Sequence, residues 1–291
     1  MVETITAGLT TLLMIYNGAL TTPQTTITVG AWGGGGCVQV ADVGYQKMGA
    51  LDATVLDAYQ GARLDFKKPL DLTPHFKDTK QVYLELWVLP RYAAEGQPGA
   101  ESYRRVGAGV DYEIGSPLII SQFRQLRTLR VALSGPQGMV SAEPCDLVPA
   151  TLGDRGWRRI DVPINKFLPR PKDEFRVDRM MIGGSPAEQF YIGQIAIVHD
   201  GTLVQARIVP HDTHVRAGEQ TEVSVEVESG AAQTAVSWDF DANDGIQEDA
   251  TGTAVWFSRN EPGDYTITYT VTDVDHNKPT VTGTMTIKVL A

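Results

Sequence analysis

Apolar residues in this chain come in short runs, mostly β-branched or aromatic, each closed by Gly, Pro, Asn or Asp. That is the pattern of strands, and helical spacing is nearly absent. In the front part it predicts strands over Leu12–Tyr16, Thr25–Val29, Val38–Val40, Ala53–Leu56, Ala62–Phe66, Val82–Val88, Val106–Ile114, Thr128–Leu133, Trp157–Val162, Arg176–Ile182 and Phe190–Val198. Only Pro163–Leu168 and Ile119–Leu126 read as helical turns. So many strands without intervening helices predict a two-sheet sandwich rather than an α/β fold. In Tyr83-Leu84-Glu85-Leu86-Trp87-Val88 the period of two puts Leu84, Leu86 and Val88 on one face and Tyr83, Glu85 and Trp87 on the other. Trp87 therefore points away from the aliphatic face, either as an open platform or under a loop.

From about Ile208 the pattern restarts, with strict alternation over Thr221–Val227, Ala235–Phe240, Ala254–Ser258, Gly263–Val271 and Thr280–Val289. Half-buried strands alternate in this way. A length of 291 residues also favours two domains. Charge makes the step sharper: 210–291 holds 14 acidic and four basic side chains, leaving 21 of each in 1–209. A neutral front and an acidic back mark a domain boundary. The predicted division is 1–207, with 1–11 as an N-terminal extension or strand, and 208–291.

The second stretch resembles the polycystic-kidney-disease-type (PKD) domain, an immunoglobulin-like sandwich. The residues that carry the resemblance are Val236-Ser237-Trp238-Asp239-Phe240, Asp244-Gly245, Glu261-Pro262-Gly263-Asp264-Tyr265-Thr266-Ile267 and Val271-Thr272-Asp273. The resemblance implies a non-catalytic spacer or adhesive module outside the cell, with Trp238 in the core and Tyr265 as a corner tyrosine. The front part resembles a galactose-binding-like jelly roll of the carbohydrate-binding-module type. Its cues are Leu13-Met14-Ile15-Tyr16-Asn17-Gly18, Gly61-Ala62-Arg63-Leu64-Asp65-Phe66, the Tyr83–Val88 strand, Gly156-Trp157-Arg158-Arg159-Ile160-Asp161-Val162-Pro163 with Phe167, and Phe190-Tyr191-Ile192-Gly193-Gln194-Ile195. The expected architecture is therefore all-β, a jelly-roll β-sandwich followed by a smaller immunoglobulin-like one.

The jelly-roll resemblance implies glycan binding, and Trp32, Tyr59, Trp87, Tyr92 and Tyr103 are the candidate platform residues. Such modules commonly hold a structural calcium, but the matching positions, Asn17, Gly18, Gly193 and Gln194, carry no carboxylate. A hard cation wants charged oxygens, so that site is expected to be lost. Asp239, Asp241, Asn243 and Asp244 form a weak candidate calcium site; Gly245 falls one residue late for an EF-hand and Ala250 stands where its Glu belongs. No cofactor is expected otherwise. Cys37 and Cys145 form a candidate disulfide, or are two buried free thiols.

Several functions are disfavoured. An acidic chain with no basic stripe lacks the attraction that dominates nucleic-acid binding. The apolar stretch near the start, Leu12–Tyr16, is five residues, against the ~20 that span a bilayer. Met1-Val2-Glu3 offers no charged lead to a secretory signal. Gly115-Ser116-Pro117 and Gly184-Ser185-Pro186 both break the G-x-S-x-G elbow, and Asp65, Glu85, Asp111 and Glu113 read as the polar phase of strands. Ala31-Trp32-Gly33-Gly34-Gly35-Gly36-Cys37 has no phosphate-loop lysine; it reads as a flexible loop or a place of close backbone approach.

The function expected from these readings is non-catalytic: extracellular or cell-surface binding of a polysaccharide or surface polymer, with the acidic domain as spacer or docking module. The alternatives are a self-assembling subunit of an extracellular filament or surface layer, in which the Thr-, Ile- and Leu-rich Met1–Leu20 adds to a neighbour's sheet, and a viral surface protein.

Overall fold

The computed structural model describes residues 8–57, 59–90, 128–142, 145–146, 151–152, 157–171, 173–185, 188–209, 213–241, 245, 248–275 and 277–291. The expected strand Val106–Ile114 and helical turn Ile119–Leu126 lie outside them. The chain divides into two compact units, one over Thr10–His199 and one centred on Asp200–Ala291.

In the first unit the strands are β1 (Leu9–Tyr16), β2 (Ile27–Trp32), β3 (Gly36–Val40), β4 (Ala50–Val55), β5 (Gly61–Asp71), β6 (Val82–Pro90), β7 (Thr128–Gly135), β8 (Gly138–Ala142), β9 (Cys145–Asp146), β10 (Thr151–Leu152), β11 (Arg158–Pro163), β12 (Phe167–Leu168), β13 (Arg176–Ser185) and β14 (Glu188–Asp200). One sheet runs β10-β11-β6-β14-β4-β3 with β1 on β14; the other runs β12-β8-β7-β13-β5-β2 with β9 on β7. The pairs with described register are antiparallel. Leu84, Leu86 and Val88 of the first sheet and Leu64, Val131 and Ile182 of the second share one core, as the period of two predicts. This is a two-sheet sandwich.

Two local expectations change. Thr73–Lys77 forms a short helix, α1, with proline in its first turn and Phe76 buried; five residues are too few to show a helical period. Pro163–Leu168 resolves into a 3-10 turn at Ile164–Lys166 followed by β12. β1, within the Met1–Leu20 stretch, pairs with β14 of its own chain.

The second unit contains β15 (Gln205–Ile208), β16 (His214–Arg216), β17 (Thr221–Glu228), β18 (Thr234–Asp239), β19 (Ala250–Thr251), β20 (Ala254–Phe257), β21 (Gly263–Asp273) and β22 (Val281–Leu290). A three-stranded sheet, β15-β17-β20, and a five-stranded sheet, β16-β22-β21-β18-β19, share a second core. β15, where the sequence pattern predicts no strand, belongs to this unit and pairs with β17. Trp238 is fully buried and its indole N–H donates to the Gly252 carbonyl at 2.7 Å. The Tyr265 hydroxyl donates to the Glu261 carbonyl, four residues upstream, at 3.0 Å; this is the geometry of a tyrosine corner.

Cys37 is a free thiol, buried in the core of the first unit. It stands in β3 of one sheet, whereas the backbone of Cys145 lies in β9 of the other; the side chain of Cys145 is outside the described residues. Burial, with the Asp52 carboxylate adding to it, pushes the Cys37 thiol up to about 12. Because the thiolate is the nucleophile, iodoacetamide at pH 8 is expected to leave Cys37 intact in the native protein and to alkylate it fully after unfolding. Peptide mass mapping reads both states, and rapid native labelling would contradict the burial.

Candidate functional site

Trp32 ends β2 and Tyr59 sits in the turn between β4 and β5. The register Trp32↔Gly61 brings them side by side. Their rings meet edge to face, centroids 6.3 Å apart and planes at 71°. Tyr59 is 60% exposed. Arg130, on β7, lies with its guanidinium carbon 4.5 Å from the Tyr59 ring centre. It donates to the Tyr59 hydroxyl and to the Ser141 hydroxyl, each at 3.0 Å. Two of its five N–H donors are used in this way.

Leu129, Val131 and Leu133 face the core, so Arg130 belongs to the outer phase of β7. Register sets Trp32 opposite Gly61 and Arg130 opposite Gly183 on the outside of the sheet. Arg63 and Arg179 share the carboxylate of Asp65 on neighbouring strands, at 2.9 and 2.6 Å. Asp65 is thus the polar phase of its strand, as expected.

The turn under Tyr59 is tightly tied. The Asp57 carboxylate accepts the Tyr59 backbone N–H at 2.6 Å and the Gln60 side-chain amide at 2.8 Å. The Gln60 side-chain oxygen accepts the Gly34 N–H at 3.1 Å, and the Asp57 carbonyl accepts the Gly184 N–H at 2.8 Å. The glycine run is therefore a place of close backbone approach to the platform turn, and the Asp57–Gly184 bond holds that turn against β13.

Trp87 is elsewhere. It leaves the aliphatic face as its phase requires, but Tyr45 stacks on it at 4.2 Å and 13°, and Trp157 meets Tyr45 at 5.7 Å. With Ala50, Leu89 and Tyr191 these rings form a small second core on the outer face of the first sheet. Glu85 shares that face, the polar phase of its strand as expected, and is only 5% exposed. Its carboxylate accepts the Gln194 side-chain amide at 3.0 Å; burial raises its pKa, and the nearby Arg159 lowers it in part. Of the five candidate aromatics the structure brings together Trp32 and Tyr59 and sets Trp87 apart; Tyr92 and Tyr103 lie outside the described residues. Arg130 and Ser141 were missed, since sequence places them on no common face with a turn 70 residues away.

The Asp-rich turn is committed to its own backbone. Asp239 is buried and accepts the Asp241 N–H at 2.9 Å; Asp249 accepts the Phe240 N–H at 2.7 Å. Asn243 and Asp244 lie outside the described residues. Among the described residues no three His, Cys, Asp or Glu side chains are grouped to hold a metal ion, and no helix is long and apolar enough to cross a membrane.

No family model matches the sequence, and no curated protein does. Among solved structures, the chain is similar to the PKD1 domain of Vibrio anguillarum Epp, at 24% identity over 30% of this chain and 94% of that one, with a TM-score of 0.24. It is also similar to the PKD domain of the human VPS10 domain-containing receptor SorCS2, at 19% identity over 31% of this chain and 73% of that one, with a TM-score of 0.25.

Proposed function

We propose that the chain is a non-catalytic extracellular binding protein. Its first sandwich takes a glycan or surface polymer on the platform of Trp32, Tyr59 and Arg130, and its acidic second sandwich spaces or docks that module. The observation that carries this reading is the preorganised Tyr59 ring, exposed but fixed by its turn and by Arg130. Sugars present C–H faces that stack on aromatic rings and hydroxyls that accept from a fixed guanidinium. A rigid aromatic beside a cation offers both without an ordering cost at binding. The lack of a nucleophile elbow in the sequence supports a binding role rather than a catalytic one.

The test is a broad glycan panel followed by calorimetry on the best ligand. Tyr59→Ala and Trp32→Ala are each expected to weaken binding at least tenfold with little change in melting temperature, since neither ring is in the core. Arg130→Lys is also expected to weaken it, because an ammonium cannot serve Tyr59 and Ser141 as a planar fork does, but less than the loss of a ring, since both aromatic faces remain. Silence across the panel, or binding indifferent to Tyr59→Ala, would refute the reading.

A further inference from the structure

The second unit presents a tryptophan that its core does not use. Strand β20 alternates, with Val255 and Phe257 buried and Ala254 and Trp256 outside. Trp256 is 63% exposed. Its cross-strand neighbour on β17 is Glu222, and Glu226 and Glu228 follow on the same exposed phase. Arg207 on β15 pairs with Glu226; among the described residues no cation pairs with Glu222. The surrounding stretch 210–291 carries 14 acidic against four basic side chains.

β20 is also the edge of its sheet, pairing with β17 and with no described strand on its other side. Edge strands are usually blunted by a lysine, an inward charge or a proline. Ala254-Val255-Trp256-Phe257 contains none of these. Among the described residues, this edge thus runs uncovered beside an exposed indole and a carboxylate with no cation partner.

We infer that this edge is a docking site for an extended, lysine- or arginine-bearing segment of a partner protein, which adds as a strand to β20. Backbone pairing supplies the register, and the period of two puts alternate side chains of the added strand on the face of Trp256. A cation there meets the π face of the indole and the carboxylate of Glu222 together. The excess acid of the unit speeds encounter with a basic partner. Nothing in this site depends on the glycan platform, so either can fail alone.

The probe is an eight-residue peptide of alternating lysine and valine, with a serine–valine peptide as control, titrated into the full chain at low and moderate salt. The lysine peptide is expected to bind, to slow hydrogen exchange of the 254–257 amides, and to weaken at least tenfold with Trp256→Ala. Glu222→Gln is expected to weaken it less and to reduce its salt dependence. Absence of binding overturns the proposal. So does binding that Trp256→Ala leaves unchanged, which is unspecific attraction to an acidic surface, or equal binding of the serine peptide. Concentration-dependent dimers of the free protein that Trp256→Ala abolishes would make the occupant a second copy and overturn it as well.

Discussion

Replacement of Lys278 by methionine is expected to lower the stability of the second unit by about 3–5 kcal/mol, the range for breaking a buried pair from one side. Lys278 and Asp200 are fully buried and in contact, 78 residues apart in sequence. The ammonium also donates to the Thr202 and Ser229 carbonyls, each at 2.8 Å, so all three of its donors are satisfied. The Asp200 carboxylate in turn accepts the Ala231 N–H at 2.7 Å and the Thr202 N–H at 3.0 Å. Methionine fills similar space but leaves a buried anion facing two orphaned carbonyls. Asp200→Asn/Lys278→Met restores neutrality and keeps an acceptor for one of the two amides, since Thr202 and Ala231 donate to different carboxylate oxygens and the Asn side chain has only one; it is expected to recover part of the loss.

The same pair sets a pH dependence. Burial alone would raise the Asp200 carboxyl, but Lys278 and the N–H groups of Ala231 and Thr202 outweigh it, and its pKa is lowered. A depressed carboxylate stabilises the fold above its unfolded value of ~3.9 and loses that contribution as pH falls through the folded value. In Lys278→Met the anion has lost its main support, so its carboxyl takes up a proton more readily. The gap between parent and variant is therefore expected to be largest near neutrality and to narrow steadily as pH falls. Guanidinium titration followed by circular dichroism, with hydrogen exchange at Ala231 as the local reading, measures both. A variant within about 1 kcal/mol of the parent at pH 7 would mean that water replaces the ammonium at little cost.

Much of the fold is legible because both cores rest on alternation. Leu84, Leu86 and Val88 declare their face by spacing alone, and so do Val223 and Val225. β9, β10, β12 and β19, at two residues each, are too short to display a period and escape for that reason. Trp87 shows where phase stops being informative: it states which side of the sheet a ring leaves by, not whether Tyr45 will then cover it. The platform divides in the same way. Trp32 and Tyr59 stand out as residue types, but their meeting depends on the register of β2 against β5, and the contribution of Arg130 on a third strand. Asp200 and Lys278 carry no local pattern at all, since each is an ordinary polar residue until the other is placed beside it. Trp256 is legible, standing between Val255 and Phe257 in the exposed phase of a short strand; its rank comes from the open edge, which sequence does not show.

The link from fold to platform is tested by Gly35→Ala, which is expected to cost about 1–3 kcal/mol and to weaken glycan binding with it. A Cβ at Gly35 would lie 2.3 Å from the Gly61 Cα, 2.5 Å from its nitrogen and 2.6 Å from its oxygen. These are backbone atoms and cannot swing aside. Nor can Gly61 retreat, because its own Cβ position lies 2.0 Å from the Ile182 carbonyl oxygen. Three backbone segments, the 33–36 turn, β5 and β13, are thus stacked at a spacing that admits no side chain, and the strain falls on the outermost, the turn. Lifting that turn stretches the 3.1 Å bond from Gly34 to Gln60 and moves Trp32 away from Tyr59. Gly36 is the internal control: a Cβ there meets nothing within 4 Å, so Gly36→Ala is expected to stay within about 0.5 kcal/mol of the parent and to bind as the parent does. If Gly35→Ala melts and binds like Gly36→Ala, the turn is slack, and a rigid Tyr59 can no longer be what the four glycines provide.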